Sequence, residues 1–99
     1  MARLKPVHPG EILWEEFMVP HRLNANSLAL ALRVSAPAVY EIVNQKRAIS
    51  TEMALRLSRA FGNTPEFWLN LQTHFNLEIA RDRKQRKVNQ EVRPIAART

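Results

Sequence analysis

Four times in this chain a small polar residue stands just ahead of apolar residues spaced three and four apart. Asn24 precedes Leu28, Ala29 and Leu32; Ser35 precedes Val39, Ile42 and Val43; Ser50 precedes Met53, Ala54, Leu57, Ala60 and Phe61; Thr64, followed by Pro65, precedes Phe67, Trp68, Leu71 and Phe75. Each side-chain oxygen can accept an orphan N–H of a first helical turn, and the spacing gathers the apolar residues on one helix face. A chain punctuated in this way folds as helices. Almost nothing in it alternates with the period of two that a strand requires.

A further helix is expected at the front, in "VHPGEILWEEFMVP", over roughly residues 10 to 19. Pro9 suits the first turn, Glu11 favours an N-terminus, Leu13 and Phe17 lie four apart, and Pro20 stops the run. The third helix is expected over about 36 to 43, the fourth ends at Gly62 as a left-handed cap, and the fifth runs from 65 to the high 80s. The expectation is an all-α fold of five helices in one domain, 1–99. It comprises an arm over 1–8, a two-helix unit over 25–43, a long C-terminal helix over 65–88 and a frayed basic tail over 89–99.

Size and charge narrow the function. A chain of 99 residues builds a single core, with little room for a deep substrate cavity as well. There is no cysteine, no apolar run long enough to span a bilayer and no signal-like start, so the expected location is the cytoplasm. The net charge is +6, and it is uneven: residues 1–80 are nearly neutral, whereas 81–99 hold seven basic residues against two acidic ones. Such a tail suits nucleic acid or an acidic partner, or is simply a solvated end. The five basic residues of "RDRKQRKV" (Arg81, Arg83, Lys84, Arg86 and Lys87) form no narrow stripe. Contact with DNA, extension of a dimer helix and contact with a protein partner all stay open for them.

Residues 25–43 have the spacing of two helices joined by a three- to four-residue turn, the geometry that lets a second helix enter the major groove of DNA. Around this unit, "HPGEIL", "LALALRVSAPAVYEIVNQKRAIS", "EMALRLSRAFGNTPEFWLNLQ" and "FNLEIA" closely resemble the HigA-type antitoxins. These form the plasmid-maintenance antidote family, within the lambda-repressor-like helix-turn-helix class. The resemblance covers about residues 6 to 80. It implies a five-helix DNA-binding fold with an extended C-terminal helix, a homodimer, autorepression through a palindromic operator, and neutralisation of a cognate HigB-type ribonuclease toxin by direct binding. The alternative is a stand-alone helix-turn-helix regulator with no toxin partner. Arg33 and Gln45 stand at turn positions where the family usually has Gly, so each must take a left-handed conformation at about 1 kcal/mol or reshape its turn.

In the matching motif, the base-facing positions are Ala36, Pro37, Ala38, Tyr40 and Glu41. None is an Arg, Gln or Asn able to read guanine or adenine with two hydrogen bonds. Sequence reading would fall to alanine contacts with thymine methyls and to Glu41 accepting from a cytosine amine, with Asn44 reaching a base edge or a phosphate. Two other readings stay open: Tyr40 as a surface aromatic packed on its own helix, and Glu41 as an ion-pair partner of Lys46 or Arg47. Ser35, Lys46 and Arg47 are candidates for phosphate contacts that set register. An Arg47 of that kind would, when replaced by Ala, weaken binding about equally on all sequences and lower the salt slope by about one.

On the fifth helix, Phe67 and Leu71 are expected in the core, and Trp68, Leu69 and Phe75 are candidates for the face between two subunits. A symmetric dimer would set two recognition helices about 34 Å apart, one turn of DNA. No enzyme is expected. His8, His21 and His74 lie on separate segments without metal-ligand spacing, there is no Gly-rich phosphate loop, and capping explains Ser35 and Ser50. No cofactor or metal is implied.

Overall fold

The computed structural model describes residues 5–96; residues 1–4 of the expected arm and 97–99 of the expected tail lie outside the described residues. Among the described residues there are five helical stretches and no strand. Helix α1 (Pro9–Ile12) continues without a break into a π-helix (Leu13–Met18), followed by α2 (Ala25–Leu32), α3 (Ala36–Val43), α4 (Thr51–Phe61) and α5 (Pro65–Glu91). All four expected caps form: Asn24, Ser35, Ser50 and Thr64 accept from the backbone N–H groups of Ser27, Ala38, Met53 and Phe67. At Asn24 the cap is reciprocal, because the Ser27 hydroxyl oxygen accepts from the Asn24 N–H.

The first helix departs from its expected form. From Leu13 to Met18 it widens to π geometry, and the Val19 N–H donates to the carbonyl of Trp14, five residues back, at 2.9 Å. The widening sends Leu13 and Met18, five apart, into the core, while Phe17 is only half-buried. Pro20 has no N–H to continue an α-helical ladder onto Glu16, which favours a loosened last turn. Helix α5 also runs past its expected end, to Glu91.

Three helices end on non-glycine residues in the left-handed region: Arg22 (φ 57°), Arg33 (φ 61°) and Gln45 (φ 64°). Each closes a Schellman motif. After α2, the Val34 N–H donates to Ala29 and the Arg33 N–H to Leu30; after α3, the Lys46 N–H donates to Glu41 and the Gln45 N–H to Ile42. Arg33 and Gln45 thus accept the left-handed conformation and the turns keep their shape. Gly62 (φ 75°) ends α4 with the simpler single bond, donating to Ser58.

The core joins Leu13 and Met18 to Leu28 and Leu32 of α2, Val39 and Ile42 of α3, Leu57 of α4 and Trp68 of α5. Two contacts set where α3 sits. Gly10 lies against the backbone of Ile42, where a Cβ would overlap the Ile42 carbonyl. Arg56 of α4 donates through Nη1 to the Leu32 carbonyl at 2.9 Å, tying α4 to the turn that leads into α3, and its other guanidinium N–H groups hold Glu52. Beyond Ile79 every described residue is exposed, so the end of α5 projects from the bundle and stretches the molecule to 53 × 28 × 22 Å. Among the described residues, no helix is long and apolar enough to cross a membrane.

Candidate nucleic-acid interface

Helix α3 is short because it is bounded chemically on both sides. Ser35 caps its start, Pro37 sits in its first turn, and the left-handed Gln45 closes its end. Its inner face is Ala38, Val39 and Ile42. Its outer face presents Pro37, Tyr40, Glu41 and Asn44, all exposed, with Ala36 half-buried at the edge.

This arrangement corrects one expected reader. Ala38 lies four residues before Ile42 and beside Val39, so it turns inward and is 8% exposed; its methyl packs in the core and cannot meet a base. The Ser35 hydroxyl oxygen accepts from the Ala38 N–H at 3.3 Å, and its O–H is free to donate outward. Tyr40, 58% exposed, joins Trp14, Asn24, Asn26, Val43 and Asn44 in lining an open groove of about 560 Å³ beside the outer face of α3. Sequence reasoning overlooked Trp14 and Asn26 here. Only the fold brings the first turn of α2 beside α3, adding an amide donor next to backbone N–H groups at a helix start.

The loop after α3 is held at both ends. At its start, the Schellman bonds reverse the chain at Gln45, which brings Arg47 back over α3. There its Nε and Nη2 both reach Glu41 Oε1, at 2.8 and 2.6 Å. The ion-pair reading of Glu41 is therefore the one realised in the free protein, with Arg47 as the partner. At the other end of the loop, the Ile49 N–H donates to Oε1 of Gln72 on α5 at 2.8 Å, and Gln72 Nε2 donates to Asn76. Gln72 is 6% exposed. Its place four residues after Trp68 marks the core side of α5 only once Trp68 is seen to be buried.

The expected dimer residues separate. Trp68 is fully buried, its Nε1 donates to Asn63 Oδ1 at 2.9 Å, and Phe17, Phe61 and Phe67 surround its ring. It belongs to the core of its own chain and cannot face a second subunit. The turn of α5 that points Trp68 inward leaves Phe67 partly exposed. Leu69 and Phe75 are half-buried, and Phe75 stacks edge-on against His8 at 4.8 Å. The histidines have local roles. His8 Nδ1 accepts the Gly10 N–H at 2.9 Å, and burial lowers its pKa; His21 Nδ1 lies 2.7 Å from the Phe17 carbonyl; His74 neighbours Glu78.

The helix-turn-helix family profile matches residues 16–69, the segment holding α2, α3 and α4. Virulence-associated protein I of Dichelobacter nodosus is 48% identical over 80% of this chain and 73% of its own length. Antitoxin HigA-1 of Vibrio cholerae is 37% identical over 85% of this chain and 79% of its own. Among solved structures, Pseudomonas aeruginosa antitoxin HigA with the higBA promoter superposes with a TM-score of 0.89 at 42% identity, covering 92% of this chain and 99% of that one.

Proposed function

This chain belongs to the HigA-type antitoxin family of lambda-repressor-like helix-turn-helix proteins, DNA-binding regulators rather than enzymes, and from that premise we propose that it is an autorepressing antitoxin. As a dimer it binds a palindromic operator in its own promoter, and it neutralises a small HigB-type ribonuclease toxin by direct contact. The observation that carries the DNA half is the outer face of α3. Pro37, Tyr40, Glu41 and Asn44 stand clear of the core on a helix fixed by Ser35, by the left-handed Gln45 and by the close seat of Gly10 on Ile42. A solved relative of the same shape is antitoxin HigA with the higBA promoter.

Within this reading, Ser35, Asn26, Asn44 and Lys46 contact phosphates and fix register, while Tyr40 and Glu41 face the groove. Leu69 and Phe75 lie at the edge of the dimer surface. The test is co-purification with the product of the adjacent reading frame, together with binding to the chain's own promoter. A small basic protein eluting at equal stoichiometry, and promoter binding lost when Tyr40 and Asn44 are both replaced by Ala, is the expected result. Promoter binding with no protein partner, while the neighbouring gene is expressed, would move the assignment to a stand-alone regulator.

A further inference from the structure

A carboxylate on the groove-facing side of a recognition helix is a liability, because the DNA backbone it approaches is a dense line of negative charge. Here the liability is met inside the chain. Arg47 lies six residues after Glu41, too far to meet it along a continuing helix, where neighbours are three and four apart. The Schellman turn brings the two together: the Lys46 N–H bonds to the Glu41 carbonyl at 2.8 Å, and Gln45 takes the strained φ of 64°. Both guanidinium contacts then fall on one oxygen, Glu41 Oε1. Oε2 has no partner among the described residues. Both side chains are about half exposed, 49% for Arg47 and 47% for Glu41, so the pair stands at the surface that meets DNA and not inside the fold.

We infer that Arg47 is a positioning residue for base reading and not a phosphate clamp: it cancels the charge of Glu41 and fixes its rotamer, so that Oε2 accepts from the exocyclic amine of a cytosine in the major groove. The inference rests on the operator-binding reading above. It follows from the hydrogen-bond inventory, since a carboxylate only accepts and cytosine N4 is the donor that a C·G pair presents in the major groove. It also gives the strained Gln45 a purpose, because without the chain reversal Arg47 would not lie over Glu41. Lys46, which precedes it and is exposed, remains a point charge for the backbone. Arg47 is thereby coupled to sequence without touching a base.

The test measures binding of the full-length protein to its own promoter fragment and to a random duplex of equal length, with each C·G pair of the operator replaced in turn. Wild type, Glu41→Gln, Glu41→Ala, Arg47→Ala, Arg47→Lys and the Glu41→Ala, Arg47→Ala double variant are compared. A surface ion pair contributes little to stability, so all should keep the wild-type melting temperature. Expected is one C·G position at which wild type discriminates about tenfold. Glu41→Ala and Arg47→Ala each lose that preference at the same position. Adding Arg47→Ala to Glu41→Ala changes the preference no further, and Glu41→Gln, whose single oxygen can serve Arg47 or the base but not both and whose NH2 then opposes a second donor, loses most of it. Arg47→Lys preserves the charge but not the side-on fork, so it loses the preference while its salt slope stays at the wild-type value.

Loss of affinity by Arg47→Ala on promoter and random DNA alike that is just as large in the Glu41→Ala background, with the C·G preference kept, would mark a phosphate clamp and overturn the inference. Loss of preference at a different position from Glu41→Ala would make Arg47 a reader in its own right, and would overturn it equally. If wild type itself does not prefer its promoter to random DNA, the operator reading fails instead, a result distinct from either.

Discussion

His8 shows how a single protonation state is built into the fold. Its Nδ1 accepts the Gly10 N–H at the start of α1, which only the unprotonated nitrogen can do, and burial against Phe75 lowers its pKa from 6.5. Between that lowered value and 6.5 the unfolded chain binds more protons than the folded one. Stability is therefore complete above about pH 6.5 and declines as the pH falls below it. Thermal melts from about pH 7.5 to 5 should show Tm dropping with acid, and His8→Asn, which keeps a capping oxygen without a titrating ring, should flatten that drop. Two neighbouring substitutions have opposite signs. Gly10→Ala drives a methyl into the Ile42 carbonyl, a backbone atom that yields only if α1 moves off α3, so chemical denaturation should show a loss of at least about 1–3 kcal/mol. Arg33→Gly releases a left-handed conformation at φ 61° and should raise stability by about 0.5–1 kcal/mol.

At the scale of elements, the long-range bond from Ile49 to Gln72 is the contact on which the loop after α3 depends. Gln72→Leu fits the same buried space but leaves the Ile49 N–H without an acceptor, at a cost of about 1–3 kcal/mol. The Ile49 amide should then exchange faster with solvent, and operator affinity should fall although no residue of α3 has changed. The contrast between Ser50 and Gln72 explains what could be read from the chain. A cap is a local bond over three residues, so Asn24, Ser35, Ser50 and Thr64 announced their helices directly, and the left-handed turns at Arg33 and Gln45 were legible as missing glycines. The widening over Leu13–Met18 was not, because four-apart Leu13 and Phe17 satisfy an α-helix as well. Ala38 and Trp68 were misplaced for a related reason: motif position and apolar surplus do not say which side of a helix a residue occupies, and that follows from how α3 and α5 are rotated against the core. Gln72 carries a surface-type side chain, and only tertiary packing reveals its partner 23 residues away.

The whole molecule is a nearly neutral bundle with a basic helix projecting from it. Residues 81–96 are exposed throughout, so they contribute almost nothing to the core, while the segment from 81 onward holds most of the net charge of +6. Of the roles open to this helix, we propose a diffuse attraction to DNA without regard to sequence, since the basic residues form no single face that could follow one groove. Ending the chain after Ala80 separates the two roles. The melting temperature should hardly move, because surface residues away from packed contacts change stability by no more than about 0.5 kcal/mol. Binding to random DNA should weaken, and the salt slope should fall by about 0.9 for each phosphate contact that the helix supplied. In the dimer proposed above, the footprint on the promoter should keep its half-site spacing, about one turn of DNA, because two copies of α3 would set that spacing. A shortened chain that still binds but with altered spacing, or that elutes as a monomer, would assign the projecting helix to the subunit interface; an unchanged slope would leave its charge to a protein partner.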